Sequence, residues 1–399
     1  MFVKLALKSI AVRKGSVLLS VLAMTISIMV LLGVEHVRHQ AKMSFANTVS
    51  GVDLIVGART SSLNLLLYSV FRIGSPTNNI SWHSFETVAG NPKVKWAVPL
   101  SLGDSHKGFR VLGTNQDFFK YVKYGQKHPL VFAQGHEFSD VYDVVLGSAV
   151  AAKLDYQLGD ELVLAHGIAA TSFSLHKDKP FTVVGILSPT GTPVDHTLHV
   201  SLHSIEAIHA DPSGTVNQQD LLQPSHITAF MLGLQSKITT FTLQRDINQF
   251  PSEPLIAILP GVVLSELWQM MGVLENTLLI VSLLVFLSAC LGVCAMLLAS
   301  VRERHYEIRL LQVIGAPAHF LFLLIAVEAL FITLTSIIAA GLILTMILSV
   351  SQDYLMTQFG LNISANIFSV NSVYIITIMM IISMVMAIVP SLNMSNRQY

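Results

Sequence analysis

A short segment of the chain gathers residue types that bind transition metals. It contains Asp195, His196, His199 and His203. In a strand, His199 and His203 would share one face, and in a helix the three histidines would. Either geometry would bring imidazole nitrogens together as ligands for zinc or a related metal. The alternative, which we favour, is that these are polar histidines at the surface of a folded domain.

Residue patterns typical of enzymes are not recognisable. We find no Ser-His-Asp or Cys-His arrangement and no conspicuous carboxylate pair, so nucleophilic or acid–base catalysis is not predicted. The phosphate-loop pattern G-x-x-x-x-G-K-[ST] does not occur. The formal net charge is zero, which gives no reason to expect nucleic acid as a partner. We therefore predict no catalytic residue and no cofactor in this chain.

The elements that carry these side chains follow from the distribution of apolar residues. The chain is 52% apolar and 12% charged, whereas a soluble domain carries about 25% charged residues. A bilayer core of about 30 Å requires roughly 20 apolar residues in a helix. Four runs predict four transmembrane helices: 17–34, 277–300, 320–350 and 373–389. The first is followed by charged residues and not by a small-residue cleavage site, which favours an uncleaved anchor over a signal peptide.

Basic residues in the short segments between these runs predict the orientation of the chain. Lys and Arg occur before the first run, between the second and third, and after the fourth, but not between the third and fourth. Because short cytoplasmic segments are enriched in Lys and Arg, both termini and the 301–319 loop are predicted to be cytoplasmic. Residues 38–270 then form a domain outside the cytoplasm, between the first and second helices.

The segment 38–270 has the pattern of one large or two small α+β domains. Short runs rich in β-formers predict strands at 94–100, 143–146, 161–164, 181–186, 197–202 and 227–232. Helical patterns lie at 82–89, 148–154, 204–210 and 238–249. The amphipathic stretch 264–276 is predicted to continue the second transmembrane helix outward. Both cysteines, Cys290 and Cys294, lie in an apolar run, so no disulfide is available to this domain.

The loop 301–317 is a short amphipathic helix by its pattern. Tyr306, Leu310 and Val313 share one side at helical spacing, and Gly315 and Pro317 favour a helix end there. One interpretation is a charged connector at the membrane surface. The other is a helix that docks in a groove of a cytoplasmic partner. The pattern alone leaves both open.

Two features inside the predicted spans have alternative interpretations. Glu328 is a carboxylate in the third run, and such groups are costly and often functional. It lies only eight residues after Phe320, so we favour a structural role near the cytoplasmic interface as the partner of a basic group. Small residues also form a stripe on the second run, at Ser288, Gly292, Ala295 and Ala299. This stripe permits either the pairing of two copies or a tight contact within one copy.

Several segments resemble the MacB/FtsX-like permease family of ABC transporters. Residues 304–316, RHYEIRLLQVIGA, are similar to its ER-x-x-EIG-x-x-x-A-x-GA element, although Arg309 stands where the family has glycine. The third run carries an acidic residue, Glu328, as the family usually does. Further segments resemble the family's entry helix and periplasmic core domain: 5–14, 146–154, 158–160 and 184–195. The resemblance covers nearly the whole chain in the family's order.

The resemblance implies a non-catalytic permease that transmits work across the bacterial inner membrane. Two permeases, identical or paralogous, would pair in the bilayer, and two separate cytoplasmic ABC ATPase subunits would bind ATP and Mg and dock on 301–319. A periplasmic protein or lipoprotein would be a further partner. The ATPase contacts would be made by Arg304, Tyr306, Glu307, Ile308, Leu310, Leu311, Ile314 and Gly315. A competing hypothesis is an ATP-independent membrane sensor or scaffold whose outer domain binds a ligand or metal.

The predicted fold is therefore four transmembrane α-helices with a large α+β periplasmic domain between the first and second. The predicted order is an amphipathic entry helix 1–14, helix 15–37, periplasmic domain 38–270, helix 271–300, coupling helix 301–319, helix 320–350, periplasmic loop 351–372, helix 373–390 and cytoplasmic tail 391–399.

Overall fold

The chain folds into two compact units, one of long helices and one around a large β-sheet. The helical unit comprises Met1–Gln40, Gly272–Gln352 and Ile363–Tyr399, and the sheet unit comprises Ala41–Met271 and Asp353–Asn362. The computed structural model describes residues 13–48, 50–166, 179–209, 224–303, 318–359, 364, 366, 367 and 369–395.

Long helices contain all four of the apolar runs. In chain order these helices are Lys14–Thr48, Pro260–Glu303, Ala318–Phe359 and Val370–Ser395. We refer to them as the first to fourth long helices. Each extends past its apolar run at both ends. The second also contains the amphipathic stretch 264–276, so that this stretch and the apolar run form one continuous helix.

Three of the long helices are apolar over a length that can cross a membrane, namely Lys14–Met43, Pro260–Ala299 and Ala326–Gln352. In the fourth, the described apolar segment, Asn371–Val385, is shorter. The count of four transmembrane helices therefore remains a prediction. Large apolar side chains such as Leu19 and Leu342 are exposed on the helical unit, as is typical of surfaces that lipid covers.

The interior of the helical unit is formed by apolar stripes at helical spacing. On the first long helix, Met24 and Ile28 are fully buried and Leu31 is nearly so. On the second, Phe286, Cys290 and Leu297 are buried. These positions lie three, four or seven residues apart, which places each set on one face of its helix.

The described residues of the sheet unit form fifteen short or medium strands. They are β1 Leu54–Ala58, β2 Ile80–Ser81, β3 Val94–His106, β4 Phe109–Thr114, β5 Lys123–Tyr124, β6 His128–Pro129, β7 Phe132–Gly135, β8 Asp143–Leu146, β9 Glu161–Leu162, β10 Ala165–His166, β11 Phe181–Leu187, β12 Thr197–Ser201, β13 His226–Ile227, β14 Ala229–Leu234 and β15 Leu255–Ile258. Short helices between them are Ser62–Ser69, Trp82–Ala89, Asp117–Tyr121, Ser148–Leu154, Leu202–His209 and Thr240–Asn248.

Eleven of the strands form one mixed sheet. Its order is β15-β1-β14-β3-β4-β12-β8-β11-β7, with β10 beside β3 and β9 beside β11. The pairs β4–β12 and β8–β11 are parallel, and the remaining pairs in the sheet are antiparallel. A mixed sheet with interspersed helices is an α+β fold.

Both faces of β1 are buried. Leu54 and Val56 of β1 face one apolar core, and the intervening Ile55 faces another. The core around Ile55 includes side chains of helix Ser62–Ser69, and the opposite core includes side chains of helix Trp82–Ala89. Burial on both faces explains why β1 is apolar without polar alternation.

Candidate functional site

The segment with the strongest sequence resemblance lies outside the described residues. The predicted ATPase contacts are Arg304, Tyr306, Glu307, Ile308, Leu310, Leu311, Ile314 and Gly315, all within 304–317. The segment is flanked by the end of the second long helix at Glu303 and the start of the third at Ala318. Assignment of these contacts thus stays a prediction.

A buried ion pair links the beginning of the first long helix to the third. Arg13 Nη2 lies 2.5 Å from Glu328 Oε1, and the two side chains are 11% and 5% exposed. Arg13 Nη1 also lies 3.9 Å from the sulfur of Met296 on the second long helix. Glu328 thus has a basic partner, Arg13, as the structural interpretation predicted.

A second group of charged side chains joins three of the long helices. Arg38 donates to both carboxylate oxygens of Glu35, at 2.9 and 3.0 Å, and to Glu275 at 3.3 Å. Asn371 Nδ2 donates to Glu35 at 3.4 Å. Because Glu35 follows Arg13 by 22 residues, the two charged groups lie about 33 Å apart along the first long helix. That spacing is close to the thickness of a bilayer core.

This second group was not predicted from the sequence, although a signal was present. Glu35 and Arg38 are three residues apart directly after the first apolar run, which is favourable spacing for an ion pair in a helix. The contact between Arg38 and Glu275 could be predicted only from the way in which the helices pack. Together these side chains hold the first, second and fourth long helices to one another.

The small-residue stripe faces outward from the helical unit. Ser288, Gly292, Ala295 and Ala299 are exposed. They lie on the side of the second long helix opposite its buried face. A Cβ placed on Gly292 would meet no atom within 4 Å. The tight contact within one copy, which was one of the two interpretations, is therefore not formed by the described residues.

A groove of about 430 Å³ runs between the first and second long helices beside this stripe. The first helix contributes Leu19, Ser20, Ala23 and Ser27, and the second contributes Val285, Ser288, Ala289, Gly292 and Val293. Its walls are therefore small or apolar side chains with a few hydroxyl groups, which suits a packed helix better than a charged ligand.

The three histidines that suggested a metal site are separated by the fold. His196 ends the 3₁₀ turn Pro193–His196, His199 lies in β12, and His203 is exposed on helix Leu202–His209. Because the segment changes from turn to strand to helix, no single periodicity applies to it. Across the described part of the chain, no group of three or more His, Cys, Asp or Glu side chains is placed to hold a metal.

The favoured interpretation as surface histidines is wrong for His199, which is fully buried. Its ring lies 5.1 Å from that of Phe118 and 5.9 Å from that of Phe119, between ring centroids. Neither ring nitrogen makes a hydrogen bond of ordinary geometry. Burial and the charge of Arg72 lower the pKa of His199 to about 3, and the Val145 carbonyl only partly opposes this. His199 is therefore neutral at physiological pH.

Asp195, the acidic member of the same segment, has a local structural role. Its carboxylate is buried and accepts hydrogen bonds from the Thr190 amide and hydroxyl and from the Gly191 amide, at 2.7–3.0 Å. Burial raises its pKa, and these hydrogen bonds oppose that rise. The carboxylate is thus occupied in shaping the loop before β12.

Comparison with known proteins places the chain in a family. The family model described as the MacB-like periplasmic core domain matches residues 17–250, which is more than half of the chain. The model described as the FtsX-like permease C-terminal matches residues 279–399. No curated protein sequence matches the chain significantly.

Two solved structures are similar to part of the chain. One is the periplasmic region of MacB from Actinobacillus actinomycetemcomitans, with 12% identity over 55% of this chain and 94% of that chain, at a TM-score of 0.37. The other is the extracellular domain of the noncanonical ABC-type transporter YknZ from Gram-positive bacteria, with 14% identity over 51% and 98%, at a TM-score of 0.32.

The family matches agree with the apolar long helices and the α+β unit inserted between the first two of them. Permeases of this family are membrane-embedded, are not themselves catalytic, and work with a cytoplasmic ABC ATPase. The chain belongs to the MacB/FtsX-like family of ABC transporter permeases and carries that family's periplasmic core domain.

Proposed function

We propose that this permease transmits ATP-driven motion from a separate cytoplasmic ATPase to its periplasmic domain. The supporting observation is the continuity of the second long helix, Pro260–Glu303. Its first turns belong to the sheet unit, where Val263 and Leu264 are buried in the core. Its last residue adjoins the segment 304–317. An unbroken helix resists local bending, because kinks arise at specific interruptions of its hydrogen bonds.

The proposed topology has four membrane spans, with both termini and the 301–319 segment in the cytoplasm. The fourth long helix would supply the last span. The basic residues of the short segments support this orientation, and it places the sheet unit in the periplasm of the bacterial inner membrane. The domain would act there on a periplasmic protein or lipoprotein, without a substrate tunnel through the bilayer.

ATP and Mg would be bound by two copies of the partner ATPase, each docked on one permease. Hydrolysis would displace the 301–319 segments, and the long helices would carry the displacement to the periplasmic domains. Permeases of this family work with such an ATPase, and this supports assigning the contact to the amphipathic face that contains Leu310.

Replacing Leu310 with aspartate or Glu307 with lysine is expected to reduce ATPase association by about tenfold or more, because a charge would be buried in, or reversed at, the docking face. The measurement is the amount of ABC ATPase, and of ATP hydrolysis, that co-purifies with the tagged full-length permease from its native membranes. Gln312→Asp is the matched control, since position 312 would lie on another side of the predicted helix.

Unchanged association of the Leu310→Asp and Glu307→Lys variants would contradict the coupling-helix assignment. If no ATPase accompanied the unaltered permease, the ATP-coupled function itself would be wrong. The ATP-independent sensor would then be the better hypothesis, and the absence of a neighbouring gene for a phosphate-loop ATPase would support it further.

The permease would pair with a second copy or a paralogue through the small-residue stripe. The stripe is exposed and faces away from the buried side of its helix, as described for Gly292 and its neighbours. Small side chains allow two helix backbones to approach closely, which is favourable in lipid, where apolar surface alone gives no driving force.

A single cysteine in the stripe is expected to cross-link two permeases on mild oxidation in membranes. The variants are Ser288→Cys and Ala295→Cys, each in a background with Cys290→Ala and Cys294→Ala. The product is measured as a band of doubled mass on non-reducing gels. Leu283→Cys is the control, because it is exposed on the other side of the same helix. Equal cross-linking from position 283, or none from the stripe, would contradict this interface.

A further inference from the structure

Two arginines of the sheet unit lie close together, and neither forms an ion pair with another described residue. Arg72 follows helix Ser62–Ser69, and Arg110 belongs to β4. Arg110 Nη2 donates to the Gly74 carbonyl at 2.5 Å, and Arg72 Nη1 donates to the Ser69 carbonyl. Arg110 thus reaches the loop that carries Arg72. The ion pairs formed by the described residues do not include either arginine.

Arg72 has an unfavourable backbone conformation and incomplete hydrogen bonding. Its φ is 60°, in the left-handed region that a bulky side chain rarely adopts. Its Nε is inaccessible to solvent and has no hydrogen-bond partner. Burial and the charge of Arg110 lower the pKa of Arg72 to about 9, and burial lowers the pKa of Arg110. Both groups remain charged at neutral pH. Strained backbone conformations cluster at active sites and ligand clamps, and burying a charge without a partner is costly.

The strands β4 and β12 present no acidic side chain beside Arg110. Arg110 pairs with Thr197 across the parallel strands β4 and β12, and Leu112 pairs with His199. Alternate residues share a face, so Arg110 and the neutral His199 lie on the same side of the sheet. His199 therefore adds no negative charge to this side.

Two carboxylates on neighbouring elements are already used elsewhere. Asp195 accepts hydrogen bonds from its own loop. Asp143 at the start of β8 accepts from the amides of Ser139 and Asp140, both at 2.8 Å. These two carboxylates are therefore not available to the arginines, which leaves room for a negative group from outside the described residues.

We propose that Arg72 and Arg110 form a binding site for an oxyanion, a carboxylate or phosphate group. Guanidinium groups present paired N–H donors whose spacing matches two oxygens of such a group. A bound oxyanion would accept hydrogen bonds from the guanidinium groups and relieve the repulsion between the two cations. The adjacent Ile73 is exposed, so the loop is open to solvent beside Arg72. This inference does not depend on ATP coupling.

The test is thermal unfolding of the full-length permease in detergent, with sodium phosphate or sodium acetate compared with sodium chloride at equal ionic strength. We expect phosphate, acetate or both to raise the Tm by about 3 °C or more at saturation. Arg72→Gln and Arg110→Gln should each lose most of that increment, and the double variant should lose all of it. Protection by phosphate alone would indicate a phosphate ligand, and equal protection by acetate a carboxylate.

Arg59→Gln is the matched control. Arg59 is exposed and, like Arg110, donates to a backbone carbonyl, that of Asn248 at 2.8 Å. Its variant should keep the full increment. If neither anion raised the Tm, or if the double variant kept the increment as a general salt effect would, the site would be disproved. Because the increment is measured within each variant, a lower starting Tm does not affect the outcome. If Arg72→Gln does not fold, the loss of the Tm increment in Arg110→Gln provides the test.

Discussion

Glu328→Ala is expected to lower the free energy of unfolding by about 3–5 kcal/mol, because it leaves the buried Arg13 guanidinium without its counter-charge. The pair is short, at 2.5 Å, and both side chains are almost entirely buried. In the low dielectric of a membrane bundle, an isolated cation is still more costly than in a soluble core. The measurement is reversible unfolding of the full-length permease in mixed detergent micelles.

The control is the exposed pair of the sheet unit. Lys93 Nζ lies 3.1 Å from Asp246 Oδ2, and those side chains are 34% and 45% exposed. Water screens such pairs, so Asp246→Ala should cost less than about 1 kcal/mol. A loss for Glu328→Ala that was no larger than this would show that Arg13 is not held as a buried cation.

A double variant separates structure from function at this pair. Replacing both Arg13 and Glu328 with methionine removes two buried charges at once and should restore most of the stability, since apolar replacements of a buried ion pair are often neutral or stabilising. If the restored protein also keeps its ATPase association, the pair is structural. If stability returns but association does not, the charges themselves contribute to coupling. Failure of the double variant to recover stability would contradict the assignment of the pair.

Local sequence patterns predicted much of the fold, because helix and strand formation depends largely on residues that are close together in the chain. The strand predicted at 143–146 coincides with β8, and helices 82–89 and 148–154 coincide with observed helices. The strands β1 and β4 were missed. Both are short and contain glycine. The strand β1 is also apolar on both faces, so it lacks the alternation by which a half-buried strand is recognised.

Pairings between distant residues could not be predicted from spacing. A basic partner was predicted for Glu328, but Arg13 lies 315 positions away in the chain. Only the packing of the long helices brings the two side chains together. The same holds for Arg72 and Arg110. Arg72 occupies a backbone conformation that nothing in its own residue type favours, and its neighbour comes from a strand that was not predicted.

The histidine segment shows a different limit. The prediction of a shared face assumed one regular element over residues 196–203, whereas three different elements follow one another there. Histidine is also intermediate in its preference for burial, so composition alone favoured a surface position. The surrounding phenylalanine side chains of helix Asp117–Tyr121 arrive from elsewhere in the chain and bury His199.

Buried His199 is expected to make the permease less stable in acid. Its pKa is about 3 in the folded chain and about 6.5 when unfolded. Between these values the unfolded chain binds a proton that the folded chain does not, so stability falls as the pH drops below about 6.5 and levels off below about 3. Between pH 7.5 and pH 5 the expected loss from this residue is about 2 kcal/mol.

The His199→Leu variant isolates this contribution. Leucine fits among Phe118 and Phe119 and carries no nitrogen that lacks a partner, so stability at pH 7.5 should be unchanged or higher. The variant should lose about 2 kcal/mol less than the unaltered chain between pH 7.5 and pH 5. Burial also lowers the pKa of His106, and its contribution has the same sign but is common to both proteins and cancels in the comparison.

His203→Leu is the matched control, since His203 is exposed on the helix that follows β12. It should reproduce the pH dependence of the unaltered chain. Unfolding should be followed in a chloride buffer without phosphate or acetate, because an oxyanion beside Arg72 would reduce the repulsion that His199 feels on protonation. If His199→Leu kept the full acid sensitivity, another group would be responsible. A smaller effect of His199 in phosphate than in chloride would link its protonation to the charge at Arg72.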